Sequence, residues 1–180
     1  MKLKNLMLAV MLVTACTMLL PGCSSSDDVK VIEKTGSNDA AGVSEEASGG
    51  YVFSYKGTDI SVDADATGIL EALGEANSYF ESPSCAAQGI DKLYTYNDFE
   101  LETYPDGDID RVLYVRLKSD AVSTQEGITT SSTKDEIKEA YGEPTSEVSG
   151  NMVYEKGDMK LKFIFDGDSV VSIEYDSPLA

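Results

Sequence analysis

The chain has 180 residues, 32 of them acidic against 14 basic, no histidine, and a formal net charge of −18. That excess repels nucleic acid and anionic headgroups, and the missing histidine removes the commonest general base and metal ligand. No phosphate loop, metal quartet or catalytic triad is found either, so the expectation is a protein without nucleic-acid partner, cofactor, metal or enzymatic activity.

Lys2 and Lys4 open the chain ahead of an apolar run over residues 6–20. A bilayer span needs roughly 20 residues, so this run reads as the core of a signal peptide covering residues 1–22. The sequence Leu20-Pro21-Gly22-Cys23 resembles the lipobox of bacterial lipoproteins. The resemblance implies that Cys23 becomes a fatty-acylated (palmitate-type) amino terminus, anchored in the cell membrane and facing away from the cytoplasm; two acyl chains make such an anchor durable. Cleavage would remove Lys2, Lys4 and no acid, moving the net charge from −18 to −20. Residues 23–50, rich in Ser, Gly, Asp and Glu, read as a flexible acidic tether.

Residues 51–63 alternate around Lys56-Gly57 and read as a hairpin. A short helix over 66–73 follows, closed by Gly74, then strands over 78–81, 92–96, 99–105 and 110–118 with Asn97-Asp98 and Asp106-Gly107-Asp108 at the turns. Residues 121–131 form a polar connector. Thr133 and Glu136 have the spacing of a capping box, Ile137, Ala140 and Tyr141 supply an apolar stripe, and Gly142 with Pro144 ends the second helix. Strands are expected over 147–149, 152–156, 159–165 and 171–175, with Asp166-Gly167-Asp168 turning the last pair.

The two stretches match one another. Residues 65–75 align with 133–143 at a shift of 68, and the hairpins around Asp106-Gly107-Asp108 and Asp166-Gly167-Asp168 align at a shift of 60. The excess of the first copy falls in or near residues 82–89. About 50 residues with one short helix cannot bury a sufficient core alone. The expected fold is therefore α+β: two tandem helix-plus-antiparallel-meander repeats, 51–118 and 128–176, sharing one sheet within a domain 51–176, with the helices on one face.

Alternation assigns Leu101, Leu113, Val115, Leu161, Phe163, Phe165, Ile173 and Tyr175 to the helix-facing side. The other side then carries Val112 and the candidate partner-binding residues Tyr94, Tyr96, Tyr104, Tyr114, Arg116 and Tyr154, a composition that protein interfaces enrich. Cross-strand tyrosine pairing within the sheet is the alternative use of the same residues. Glu100 and Glu102 correspond to Lys160 and Lys162, which suits charge pairing within one sheet. Cys85, without a histidine base, is expected to be a small buried hydrophobe beneath its loop. Asp106, Asp108 and Asp110 read as a turn rather than a calcium loop.

The helices, the pairs Gly74-Glu75 and Gly142-Glu143 and the Asp-Gly-Asp hairpins make residues 51–175 similar to the β-lactamase inhibitor protein fold and to small outer-membrane lipoproteins of barrel assembly. Residues 82–96 also resemble a stretch in lipoproteins of anaerobic Gram-positive bacteria. These resemblances imply a membrane-anchored, extracytoplasmic lipoprotein that binds a protein of the cell envelope, acting as an inhibitor-like or envelope-assembly factor. The alternative function is binding of cell-wall glycan or a small ligand, for which tyrosine faces also serve.

Overall fold

Local chemistry sets the beginnings and ends of the elements. The structure, a computed structural model, describes residues 49–85 and 87–180. The expected signal peptide 1–22, Cys23 and the tether as far as residue 48 lie outside the described residues. Lys56 and Gly57 both adopt positive φ, 50° and 87°, which matches the twist of a tight hairpin between β1 (Phe53–Tyr55) and β2 (Thr58–Ile60).

Helix α1 (Ala66–Leu73) starts at Asp65, whose carboxylate accepts from the Thr67 N–H at 2.8 Å. Helix α2 (Lys134–Tyr141) starts with a complete capping box: the Glu136 N–H donates to the Thr133 hydroxyl at 3.3 Å, and the Thr133 N–H donates to Oε2 of Glu136 at 2.7 Å. Both helices end on a glycine at positive φ, Gly74 at 74° and Gly142 at 81°.

The remaining strands are β3 (Ser78–Pro83), β4 (Ile90–Thr95), β5 (Phe99–Asp106), β6 (Ile109–Leu117), β7 (Ser146–Val148), β8 (Asn151–Lys156), β9 (Met159–Asp166) and β10 (Ser169–Asp176). They form one antiparallel sheet in the order β3-β4-β5-β6-β10-β9-β8-β7. Two four-stranded meanders therefore meet at the β6–β10 pairing, where Arg116 lies opposite Glu174 and Val115 opposite Tyr175.

The expected α+β repeat with helices on one face is corrected by this architecture. Among the described residues the protein is mostly β, 47% strand against 12% helix, an eight-stranded sheet accompanied by a two-stranded one. Each helix is eight residues long and fully buries a single side chain, Ala66 in α1 and Ile137 in α2. Eight residues are little more than two turns, so the helices are small fittings rather than a layer. The core is made largely by the sheet itself and the β1–β2 hairpin.

Phe99, Leu101, Val115, Leu117, Leu161, Phe163, Ile173 and Tyr175 pack with Phe53 and Ile60 of the hairpin and with Ile128 of the connector. The rings of Phe53 and Phe99 meet edge-on at 5.2 Å. Burying a side chain of this size contributes about 2–3 kcal/mol, which makes the hairpin an integral part of the core.

Two bulges break the alternation read from sequence. Glu102 pairs with Tyr114 but Thr103 with Val112, which leaves Leu113 without a partner on β5. Val112 consequently joins the core cluster, while Leu113, itself buried, stands at the bulge outside that cluster. Likewise Phe165 pairs with Val170 and Ile164 with Ser172, so Val170 is buried and Val171 is left exposed. The extra length of the first half is divided between the longer β3 and the loop 84–89. Cys85 stands exposed in that loop, contrary to the expectation of a buried thiol.

Candidate functional site: the uncovered face of the sheet

Strand pairing assigns every side chain to one of two faces. One face packs with Phe53 and Ile60 of the hairpin and Ile128 of the connector; the other carries no helix or strand over it among the described residues. Along the uncovered face, Glu100, Arg116, Glu174, Lys162 and Val153 follow one another across β5, β6, β10, β9 and β8. A second row places Leu93, Glu102, Tyr114, Asp176, Lys160 and Glu155 side by side.

The first row alternates in charge from Glu100 through Arg116 and Glu174 to Lys162. Nε of Arg116 lies 2.8 Å from Oε1 of Glu174, its Nη1 lies 3.5 Å from Oε2 of Glu100, and Lys118 reaches the other oxygen of Glu100 at 2.7 Å. Lys162 pairs with Asp176, a carboxylate that is only 5% exposed. Burial pushes the Asp176 carboxyl above its ordinary value, and Lys162 offsets part of that rise. The Arg116 guanidinium sits 4.9 Å from the centre of the Tyr114 ring. Burial, and after it the neighbouring Glu102, raises the Tyr114 hydroxyl well above its usual range.

The structure distributes the six sequence-nominated residues unequally. Tyr114 and Arg116 are neighbours on the uncovered face. Tyr104 is on the same face but buried, its hydroxyl donating to Asp63 at 3.1 Å and pushed up to about 12 by burial and by that carboxylate. Tyr94, Tyr96 and Tyr154 lie on the covered face. Tyr94 packs on the core opposite Leu101, and Tyr96 stacks on Phe99 with its hydroxyl 3.4 Å from the Gly74 carbonyl. Tyr154, 2% exposed, donates to the Gly142 carbonyl at 3.0 Å.

Hairpin length carried the information that alternation alone did not. Asn97-Asp98 and Gly157-Asp158 are two-residue turns, which pair 96 with 99 and 156 with 159. Counting back from each turn sets Tyr94 opposite Leu101 and Tyr154 opposite Leu161, on the core side.

Sequence reading also missed a cleft on this face. It encloses about 320 Å³ over the second meander, with Val153, Lys160, Lys162 and Ile164 as its floor and Val148 as part of its wall. Its wall exists because Ser149 and Gly150 both take positive φ, 55° and 86°, and turn the short edge strand β7 back along β8. The Ser-Gly dipeptide was the one local sign of this turn.

Chemically, the face offers paired charges, one half-buried tyrosine and a cleft of mixed charged and apolar lining. Among the described residues no three of Cys, Asp and Glu come together as a metal site, and no helix is long and apolar enough to cross a membrane. The fold and site thus define a mostly-β domain with one open sheet face. Comparison with protein-family models, with curated proteins and with solved structures finds no match to this chain.

Proposed function

We propose that this is a membrane-anchored extracytoplasmic lipoprotein whose folded part acts as a non-enzymatic protein-binding module, with the open sheet face as its contact surface. The lipobox-like sequence ending at Cys23 supports the address, and the acidic stretch that follows it supports a tether. The observation that carries the binding role is the uncovered face itself: it spans both meanders and centres on Tyr114 and Arg116. Tyrosine and arginine are the residues that interface centres enrich, because each presents broad contact area with a polar tip. Self-paired charges keep the face ordered before a partner arrives, which lowers the cost of association. An inhibitor-like or envelope-assembly role is the form of this activity that the sequence resemblance favours.

The test is photo-crosslinking on intact cells, with a photoreactive residue placed at Tyr114 and, as a control, at the exposed Glu139 of α2. A discrete protein adduct from position 114 and none from 139 is the expected result. Adducts with wall glycan alone, or no adduct at all, would overturn the proposal. Mass spectrometry of the mature chain tests the address: diacylated Cys23 is expected, and an unmodified thiol contradicts it.

A further inference from the structure

The two ends of the eight-stranded sheet differ in what they leave open. In an antiparallel ladder, successive residues turn their N–H and C=O alternately to one neighbouring strand and to the other side. At the β3 end the Asn77 N–H donates to the Thr95 carbonyl at 2.8 Å and the Ser84 N–H to the Gly89 carbonyl at 3.0 Å. Between them Phe80 lies opposite Leu93 and Ser82 opposite Asp91, a register that turns the backbone of Phe80 and Ser82 to β4. The N–H and C=O of Tyr79 and Glu81 therefore point away from the sheet, and Pro83, which has no N–H, closes this open run.

The side chains of this edge are as open as its backbone. Phe80 is 63% exposed, more than any other large hydrophobic side chain among the described residues, and Tyr79 is 51% exposed. Phe80 stands next to Leu93 at the end of the row that carries Glu102 and Tyr114 on the uncovered face. Native sheets seldom leave such an edge without something to pair with it. The other end is better protected. β7 has three residues, and Val148 pairs with Asn151 across a two-residue turn, so that Glu147 alone in β7 turns its backbone outward.

We infer that a second copy of this chain pairs on β3, the two strands running antiparallel about a two-fold axis at Phe80. Tyr79 of each copy then lies opposite Glu81 of the other, so every outward N–H meets an outward C=O, and Phe80 meets its own counterpart where side chains approach most closely. Charge selects the same register. Glu81 falls opposite a tyrosine, the residue whose hydroxyl it already accepts within one chain. An axis at Glu81 would set two carboxylates face to face and bring Pro83 against Tyr79. An axis at Tyr79 would set Glu81 opposite Asn77, whose N–H is already given to Thr95. Pairing through β7 would set Glu147 against itself, and β7 on β3 would leave one outward residue of β3 unmatched. The open run is short and symmetric, and a copy of itself fills it completely. The inference concerns the edge of the sheet and stands apart from the protein-binding role of its face.

Disulfide crosslinking of the purified full chain in a Cys85→Ser background tests this, each link identified from the mass of the joined peptides so that thiols elsewhere do not count. Salt at about 0.5 M screens the repulsion between two chains of net charge −18. Phe80→Cys is expected to link to itself at least tenfold faster than Glu147→Cys. A mixture of Ser78→Cys and Ser82→Cys chains should give the mixed link at least tenfold in excess of either like-with-like link, because these positions oppose one another in the register above. Glu81→Pro removes an outward N–H and should cut the mixed link at least tenfold while leaving the urea midpoint unchanged. Equal rates at 80 and 147, like-with-like links as abundant as the mixed one, or a mixed link indifferent to Glu81→Pro would each overturn the inference. A lower urea midpoint for Glu81→Pro would overturn it too, since that N–H would then be engaged within one chain. So would links from position 80 that form on cells with other proteins alone.

Discussion

Arg116 and Glu174 join the two halves of the sheet: Nε of the guanidinium donates to Oε1 of the carboxylate at 2.8 Å across the β6–β10 pairing. The same guanidinium faces Glu100 on β5, so one cation stands between two acids and links three strands. Both glutamates are more protected from water than the arginine, their side chains 17% exposed against 38%. The arrangement gives the open face a fixed electrostatic pattern at the seam, directly beside Tyr114.

Replacing Arg116 with Leu should therefore leave two neighbouring carboxylates without their shared partner. Partial exposure limits the loss to about 1 kcal/mol, toward the upper end for ion pairs at a surface. Urea unfolding should show a lower midpoint for the variant, and the difference should shrink at 1 M salt, where screening is nearly complete. A difference indifferent to salt would mean that packing rather than charge holds the seam.

Tyr154→Phe should cost about 1 kcal/mol, since the Gly142 carbonyl at the end of α2 loses a 3.0 Å hydrogen bond without any loss of ring packing. Tyr96→Phe should cost less, because the corresponding contact to Gly74 is 3.4 Å long. Thermal unfolding of the two variants side by side checks the order.

Thr133→Ala removes the cap of α2 and should destabilise the domain by about 1 kcal/mol. The backbone and side-chain bonds from Thr133 hold the Glu136 carboxyl below its ordinary 4.5. A depressed acid contributes stability that is present above its unfolded value and lost as pH falls through the folded one. The cost of Thr133→Ala should accordingly be larger at pH 7 than at pH 3, as unfolding measured at both values would show.

Asp176 should behave in the opposite sense. Its carboxyl is raised above 3.8 by burial, so its contribution is fully present below that value and lost as pH climbs through the raised one. Asp176→Asn lacks this loss, and the stability of the variant relative to the parent should therefore increase with pH from 3 upward to neutrality. A relative stability that decreases over that range would show that the Lys162 pairing outweighs desolvation.

Much of this molecule was written locally in its sequence. The capping box at Thr133, the glycines at 74 and 142 and the Asp-Gly turns depend only on neighbours within a few residues, and they fall where spacing puts them. Facing was harder, because a strand's orientation depends on what lies opposite. The bulge at Leu113 brings Val112 into the core beside it, and no local residue type announces it. Tyr94 and Tyr154 were legible through turn length but not through alternation. The fold class was misjudged because two well-marked helices carry strong local signs while contributing one fully buried side chain each. The cleft was not legible, since Val148, Lys160 and Ile164 converge only after β7 turns back on β8.

The account stands on the open sheet face being the surface that meets a partner. The most direct measurement is thiol labelling in a Cys85→Ser background, read site by site from the mass of the labelled peptide, comparing Lys160→Cys on that face with Glu139→Cys on α2, in the purified chain and on intact cells. Both sites are exposed in the structure, so both should react rapidly in the purified chain. On cells, labelling at 160 should slow at least tenfold while labelling at 139 is unchanged. Equal rates at the two sites on intact cells would contradict the account.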